Sequence, residues 1–127
     1  MSRDTENSHV WIHNMDLFYG KKGGAADQAK GDGTVDIKGD SKYVTVAYNR
    51  FWDNGKASMC GMKSETGENW ITYHHNWFDH SDSRMARVRT MSVHMYNNYY
   101  QHCDVYGIGA TSGSSIFMES NYFDAVK

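Results

Sequence analysis

Apolar and polar residues alternate along this chain in short runs such as Val44-Thr45-Val46, the period of a half-buried strand. Apolar residues rarely recur at i, i+3, i+4 and i+7, so no helix stands out. Five segments repeat one another: VWIHNMDL from Val10, VTVAYNRF from Val44, ITYHHNWF from Ile71, VHMYNNYY from Val93 and IFMESNYF from Ile116. Each opens apolar, any, apolar, with Tyr73 taking the third place in the third copy. Each closes on Leu17, Phe51, Phe78, Tyr100 or Phe123. Five places after the start stands Asn49, Asn76, Asn98 or Asn121, with Met15 in the first copy.

The starts are separated by 34, 27, 22 and 23 residues. A basic period near 22 with insertions predicts a solenoid of about five partial coils, whose units must stack to bury a face that none can bury alone. Parallel stacking at about 4.8 Å sets equivalent residues above one another. Asparagine suits such a ladder, because its amide both donates and accepts and it tolerates left-handed backbone. An antiparallel sandwich also has many short strands, but does not require the same asparagine four times. Proline is absent, leaving glycine, asparagine and serine to make the turns.

Composition narrows the classes. The 127 residues are enough for one ordinary domain, and 39% hydrophobic with 22% charged is a globular balance. A net charge of -2 argues against a general nucleic-acid or membrane-surface binder. No apolar run approaches the roughly 18 residues that span a bilayer, and MSRDTENSHV lacks the apolar stretch of a signal peptide, so a soluble chain is expected. Cys60 and Cys103 are too few for a disulfide framework. The basic residues are concentrated instead: SDSRMARVRT carries Arg84, Arg87 and Arg89 within six residues. Alternation turns Val88 inward and Arg87 and Arg89 outward.

Several spaced motifs carry a family resemblance. DGTVDIKGDSKYVTVAYNRFWDNGK, NWITYHHNWFDHSDSRMARVR, SVHMYNNYY, YGIGA and IFMESNYF together resemble the pectate lyases of polysaccharide lyase family 1. The resemblance implies an all-β, right-handed parallel β-helix that cleaves α-1,4-linked polygalacturonate by calcium-dependent β-elimination, giving unsaturated products. It also implies secretion, and that residues 1–127 are a single central segment with coils beyond both ends. Open coil ends expose sheet edges, which invite self-association.

Mapped residue by residue, the resemblance makes Arg84 the base, Lys56 and Arg89 the substrate-binding cations, and Asp32 and Asp36 the calcium carboxylates. Four residues of straight strand would hold the two aspartates about 13 Å apart, so joint ligation needs a bend, for which Gly33 is the candidate. Lys56 lies five residues after Phe51 and Arg84 six after Phe78, so stacking the coils by their aromatic residues brings the two cations together. Three departures from the family pattern stand out: Ala86 where proline is usual, His13-Asn14 where Asp-His is usual, and no counterpart of a further calcium aspartate. Arginine is an unusual base, being protonated at ordinary pH, so alkaline conditions should favour it. Pectin lyase and a non-catalytic β-helix, allergen-like or carbohydrate-binding, are the alternatives. His74 and His75 are expected on opposite strand faces rather than at a metal. The aromatic residues at repeat positions are expected to stack on each other, and Gly107 and Gly109 to permit close coil packing.

Overall fold

The computed structural model describes residues 7–18, 32–62, 65 and 68–127, with Asp32 described in its backbone alone. The described strands fall into five coils. The first holds β1 (Ser8–His13), β2 (Asp16–Phe18) and β3 (Asp32–Ile37), and the second β4 (Lys42–Ala47), β5 (Arg50–Trp52) and β6 (Lys56–Cys60). The third holds β7 (Ile71–His74), β8 (Trp77–Asp79) and β9 (Arg87–Val88), and the fourth β10 (Ser92–Tyr96), β11 (Tyr99–Cys103) and β12 (Gly109–Ala110). β13 (Ser115–Glu119) and β14 (Tyr122–Val126) form the fifth. No helix occurs among the described residues, and so none that is long and apolar enough to cross a membrane.

Each strand pairs in parallel with its equivalents one coil away. The sheets run β1-β4-β7-β10-β13, β2-β5-β8-β11-β14 and β3-β6-β9-β12. This is a three-sided parallel β-helix, right-handed in sense as parallel crossovers almost always are. The register matches the repeat: Val10, Val44, Ile71, Val93 and Ile116 are successive partners in the first sheet. In the second sheet the inward column is Leu17, Phe51, Phe78, Tyr100 and Phe123. Its rings stack face to face, with centroids 4.8, 4.9 and 4.7 Å apart from Phe51 to Phe123. Each such pair contributes about 0.5–1.5 kcal/mol beyond the area it buries.

The asparagine ladder turns the corner between the first two sheets. Asn76 Oδ1 accepts from both the backbone N (3.1 Å) and Nδ2 (3.2 Å) of Asn49, and Asn98 Oδ1 accepts from the same two groups of Asn76, each at 3.0 Å. Asn121 repeats the pattern toward Asn98. Each Nδ2 also donates to a strand carbonyl, those of Ile12, Val46, Tyr73 and Met95 in turn. At the first copy Met15 offers only its backbone N, which donates to Asn49 Oδ1.

The left-handed residues at this corner are those before the ladder: Asn14, Tyr48, His75, Asn97 and Ser120, with φ between 52° and 57°. The asparagines are selected for their amides, and the strain falls on their neighbours.

Candidate active site

The third sheet collects the chemistry. Asp32 of β3 is in register with Lys56 of β6, and Lys56 forms a parallel bridge with Ser83, the residue before Arg84. The backbone of Arg84 thus lies one residue out of register with that of Lys56 on the neighbouring coil. Farther along, Asp36, Met59, Arg87 and Gly109 are successive partners, and Ile37, Cys60, Val88 and Ala110 form the next column. Ile37, Cys60 and Val88 belong to the buried core, so Asp36 and Arg87 lie on the opposite, outward side of their strands. Val88 points inward as the alternation predicts, and Arg87 and Arg89 are half-buried rather than fully exposed.

β3 carries the bend that two neighbouring aspartates need. Two residues between Asp32 and Val35 stand opposite the one between Lys56 and Ser58, a one-residue bulge. Gly33 takes φ +71° within it, and the Asp36 carboxylate folds back so far that a Cβ on Gly33 would meet Asp36 Oδ2 at 2.6 Å. A side chain at position 33 would thus be strained in its backbone and displace that carboxylate. The Asp32 side chain lies outside the described residues, so its own approach is not part of this geometry.

The arginines are held by backbone on both flanks. Arg84 has φ +61°, and its carbonyl accepts from Ser58 N at 2.7 Å. Met85 and Ala86, joined by a cis peptide, are fully buried, with Met85 N donating to Gly107 O and Ala86 O accepting from Gly109 N. Ala86 thus stands in a packed, hydrogen-bonded segment where the family pattern has proline. Arg89 N donates to Cys60 O at 2.8 Å, and its carbonyl passes so close to Gly61 that a Cβ there would lie 1.7 Å away. Gly61, at φ +89°, is the glycine this contact requires. Among the described residues Arg89 Nε is buried without a hydrogen-bond partner, a donor on a cation that an anion would satisfy.

Glu65 was not legible as a site residue. Its Oε1 accepts from Met62 N (3.0 Å) and Thr90 Oγ1 (2.8 Å), and its Oε2 from Gly39 N (2.8 Å). It therefore ties three coils together beside Arg89. Desolvation pushes its carboxyl up, but the donors, with its own amide, outweigh this and hold it down at about 2. In sequence it is one acid in a polar loop, with no spacing to mark it.

The histidines also depart from expectation. His75 leaves the strand with φ +54°, so its Nδ1 lies 2.8 Å from His74 Nδ1 on the same side instead of opposite. Partial burial, then the neighbouring His75 and His94, lower the His74 pKa. Among the described residues no three or more His, Cys, Asp or Glu side chains gather to hold a metal. Calcium prefers six to eight hard oxygens. The Asp36 carboxylate over Gly33 is a hard oxygen donor and fits that chemistry.

Residues 2–127 match the family model described as Pectate lyase. The chain belongs to the pectate lyase family. It is similar to the pectate trisaccharide-lyase of Bacillus licheniformis, with 31% identity over 122 residues, 95% of this chain and 35% of that protein. Pectate lyase C of Dickeya chrysanthemi is 33% identical over 128 residues, 98% of this chain and 34% of the relative. A solved thermostable pectate lyase superposes with a TM-score of 0.80 at 30% identity, over 91% of this chain and 32% of that one. The chain thus spans about a third of the length of these pectate lyases, and its coils correspond to one stretch of their β-helix.

Proposed function

We propose that this chain forms the catalytic part of a pectate lyase that cleaves polygalacturonate by β-elimination. The reading rests on one observation: the third sheet aligns the Asp32–Asp36 strand, Lys56 and the Arg84–Arg89 segment on three successive coils. Carboxylates beside cations suit a polyanion bound with divalent metal. Arg84 takes the C5 proton, which is acidified by the adjoining C6 carboxylate, and the 4-linked sugar departs to leave an unsaturated product. Lys56 and Arg89 hold substrate carboxylates, where negative charge grows as the proton leaves; cations fixed there in advance lower the barrier. The unpartnered Arg89 Nε suits this role, since it gains a partner when an anion arrives.

Asp36, with Asp32, would hold calcium, which when bound supplies positive charge against the substrate carboxylate. The Asp36 carboxylate folded back over Gly33 supports this assignment, because it offers a hard oxygen donor at the bend of β3. The retained aspartates favour pectate over the methyl-esterified polymer of a pectin lyase. From the family resemblance we infer that the chain acts outside the cell. The test is appearance of unsaturated product from polygalacturonate, by ultraviolet absorbance, with calcium and then with excess chelator. Product formed with calcium and lost on chelation is expected; equal rates in both would remove calcium from the account.

A further inference from the structure

A groove lies on the outer face of the first sheet, on a different side of the coil from the proposed active site. Its volume is about 550 Å³, and its walls include Trp70 and Phe117, which are 60% and 62% exposed. It arises where an aromatic ladder stops. His9 stacks on Tyr43 with centroids 4.8 Å apart, and Tyr43 lies parallel to Trp70, at 6.5 Å and 2°. The register places Ser92 next in this column, paired in turn with Ser115. Two small residues therefore follow three rings, and the next ring's place above Trp70, a coil step of about 4.8 Å, is open.

The surroundings define what fits there. Thr72, Ser92 and Ser115 bring hydroxyls to the floor, and His94, in contact with the Phe117 ring at 5.2 Å, brings an imidazole whose Nε2 pairs with Glu119. An aromatic platform edged by short hydroxyls suits a ring with an apolar face and a polar rim. A pyranose is such a ring, with C–H bonds on its face and hydroxyls at its edge. Among the described residues the lining holds no lysine or arginine and does hold Glu68, which suits an uncharged sugar better than a uronate.

We propose that this groove binds a neutral pyranose unit of an oligosaccharide, stacked on Trp70 in the place of the missing fourth ring. It is a second saccharide site, chemically unlike the cationic face of the third sheet. Its occupancy does not depend on the reaction assigned there.

The experiment follows the four tryptophan indole N–H signals by NMR. Galactotetraose, cellotetraose and xylotetraose are the neutral probes, and tetragalacturonate the charged control. At least one neutral probe should shift the Trp70 signal saturably, and Trp70→Ala should weaken its binding at least tenfold. Ser92→Tyr, which extends the ladder into the groove, should abolish that binding while the other indole signals stay in place and turnover on polygalacturonate is unchanged. That second variant keeps the test open if Trp70→Ala unfolds. No saturable shift with any neutral probe, undiminished binding in Ser92→Tyr, or a Trp70 response to tetragalacturonate alone would each overturn the proposal.

Discussion

Replacing Asn76 by alanine in the middle of the ladder removes four hydrogen bonds, and their partners fare differently. Asn49 Nδ2 keeps the Ile12 carbonyl, and Asn98 Oδ1 keeps the backbone N of residue 76. Asn49 N loses the acceptor given by Asn76 Oδ1, and Val46 O loses the donor Nδ2 at 2.8 Å. Both Asn49 and Val46 are buried. One stranded amide costs about 1–3 kcal/mol and one lost contact about 1 more, so a loss of about 2–4 kcal/mol is expected. Asn121→Ala makes the control: this residue is half-buried at the last coil, where water replaces part of what is lost, and its effect should be no more than half as large. Urea unfolding followed by tryptophan fluorescence reads both, provided the slopes stay equal. A loss below about 1 kcal/mol for Asn76→Ala, or equal losses at the two positions, would refute the reasoning from stranded groups.

Three further outcomes follow from the site. Gly61→Ala must shift the Arg89 carbonyl, so the KM for polygalacturonate should rise more than kcat falls; an unchanged KM would separate Gly61 from substrate holding. Asp36→Ala should raise the calcium concentration needed for turnover without unfolding the chain, and an unchanged calcium dependence would show that the metal lies elsewhere. Glu65 has a folded carboxyl lowered from 4.5 to about 2, so the stability it contributes is present above pH 4.5 and lost as pH falls through about 2. Glu65→Gln should flatten that acid limb in thermal melts taken from pH 5 to 2, and an unaltered limb would contradict its role as a tie between coils.

How much of this was legible depends on whether a feature repeats. Val10, Val44, Ile71, Val93 and Ile116 recur because every coil must bury the same inward face, and their register follows directly. The asparagines recur because each one serves the next. Phe51, Phe78, Tyr100 and Phe123 were expected to stack on one another, and they do. A Cβ on Gly107 would lie 3.1 Å from Val126 of the next coil, in keeping with close coil packing, whereas one on Gly109 would meet Tyr106 of its own coil at 2.7 Å.

The third sheet repeats nothing. β9 and β12 are two residues each, and their partners share no residue type, so the sheet was reachable only through the family motif and the Arg87-Val88-Arg89 alternation. The His74–His75 contact was missed because a period-two argument assumes extended backbone, and His75 is left-handed. Glu65 was missed because its partners are two backbone amides and a hydroxyl, which leave no mark in the sequence.

Arg84→Lys separates a proton-abstracting arginine from one that only attracts carboxylate. Lysine keeps the charge but loses the planar guanidinium, so a base that depends on that geometry should fail while charge attraction persists. Turnover of polygalacturonate at alkaline pH and saturating calcium should fall by far more than tenfold, with substrate affinity largely kept. Retention of more than about a tenth of wild-type turnover, a barrier change below about 1.4 kcal/mol, would show that Arg84 is not the base and that the three arginines only bind carboxylate.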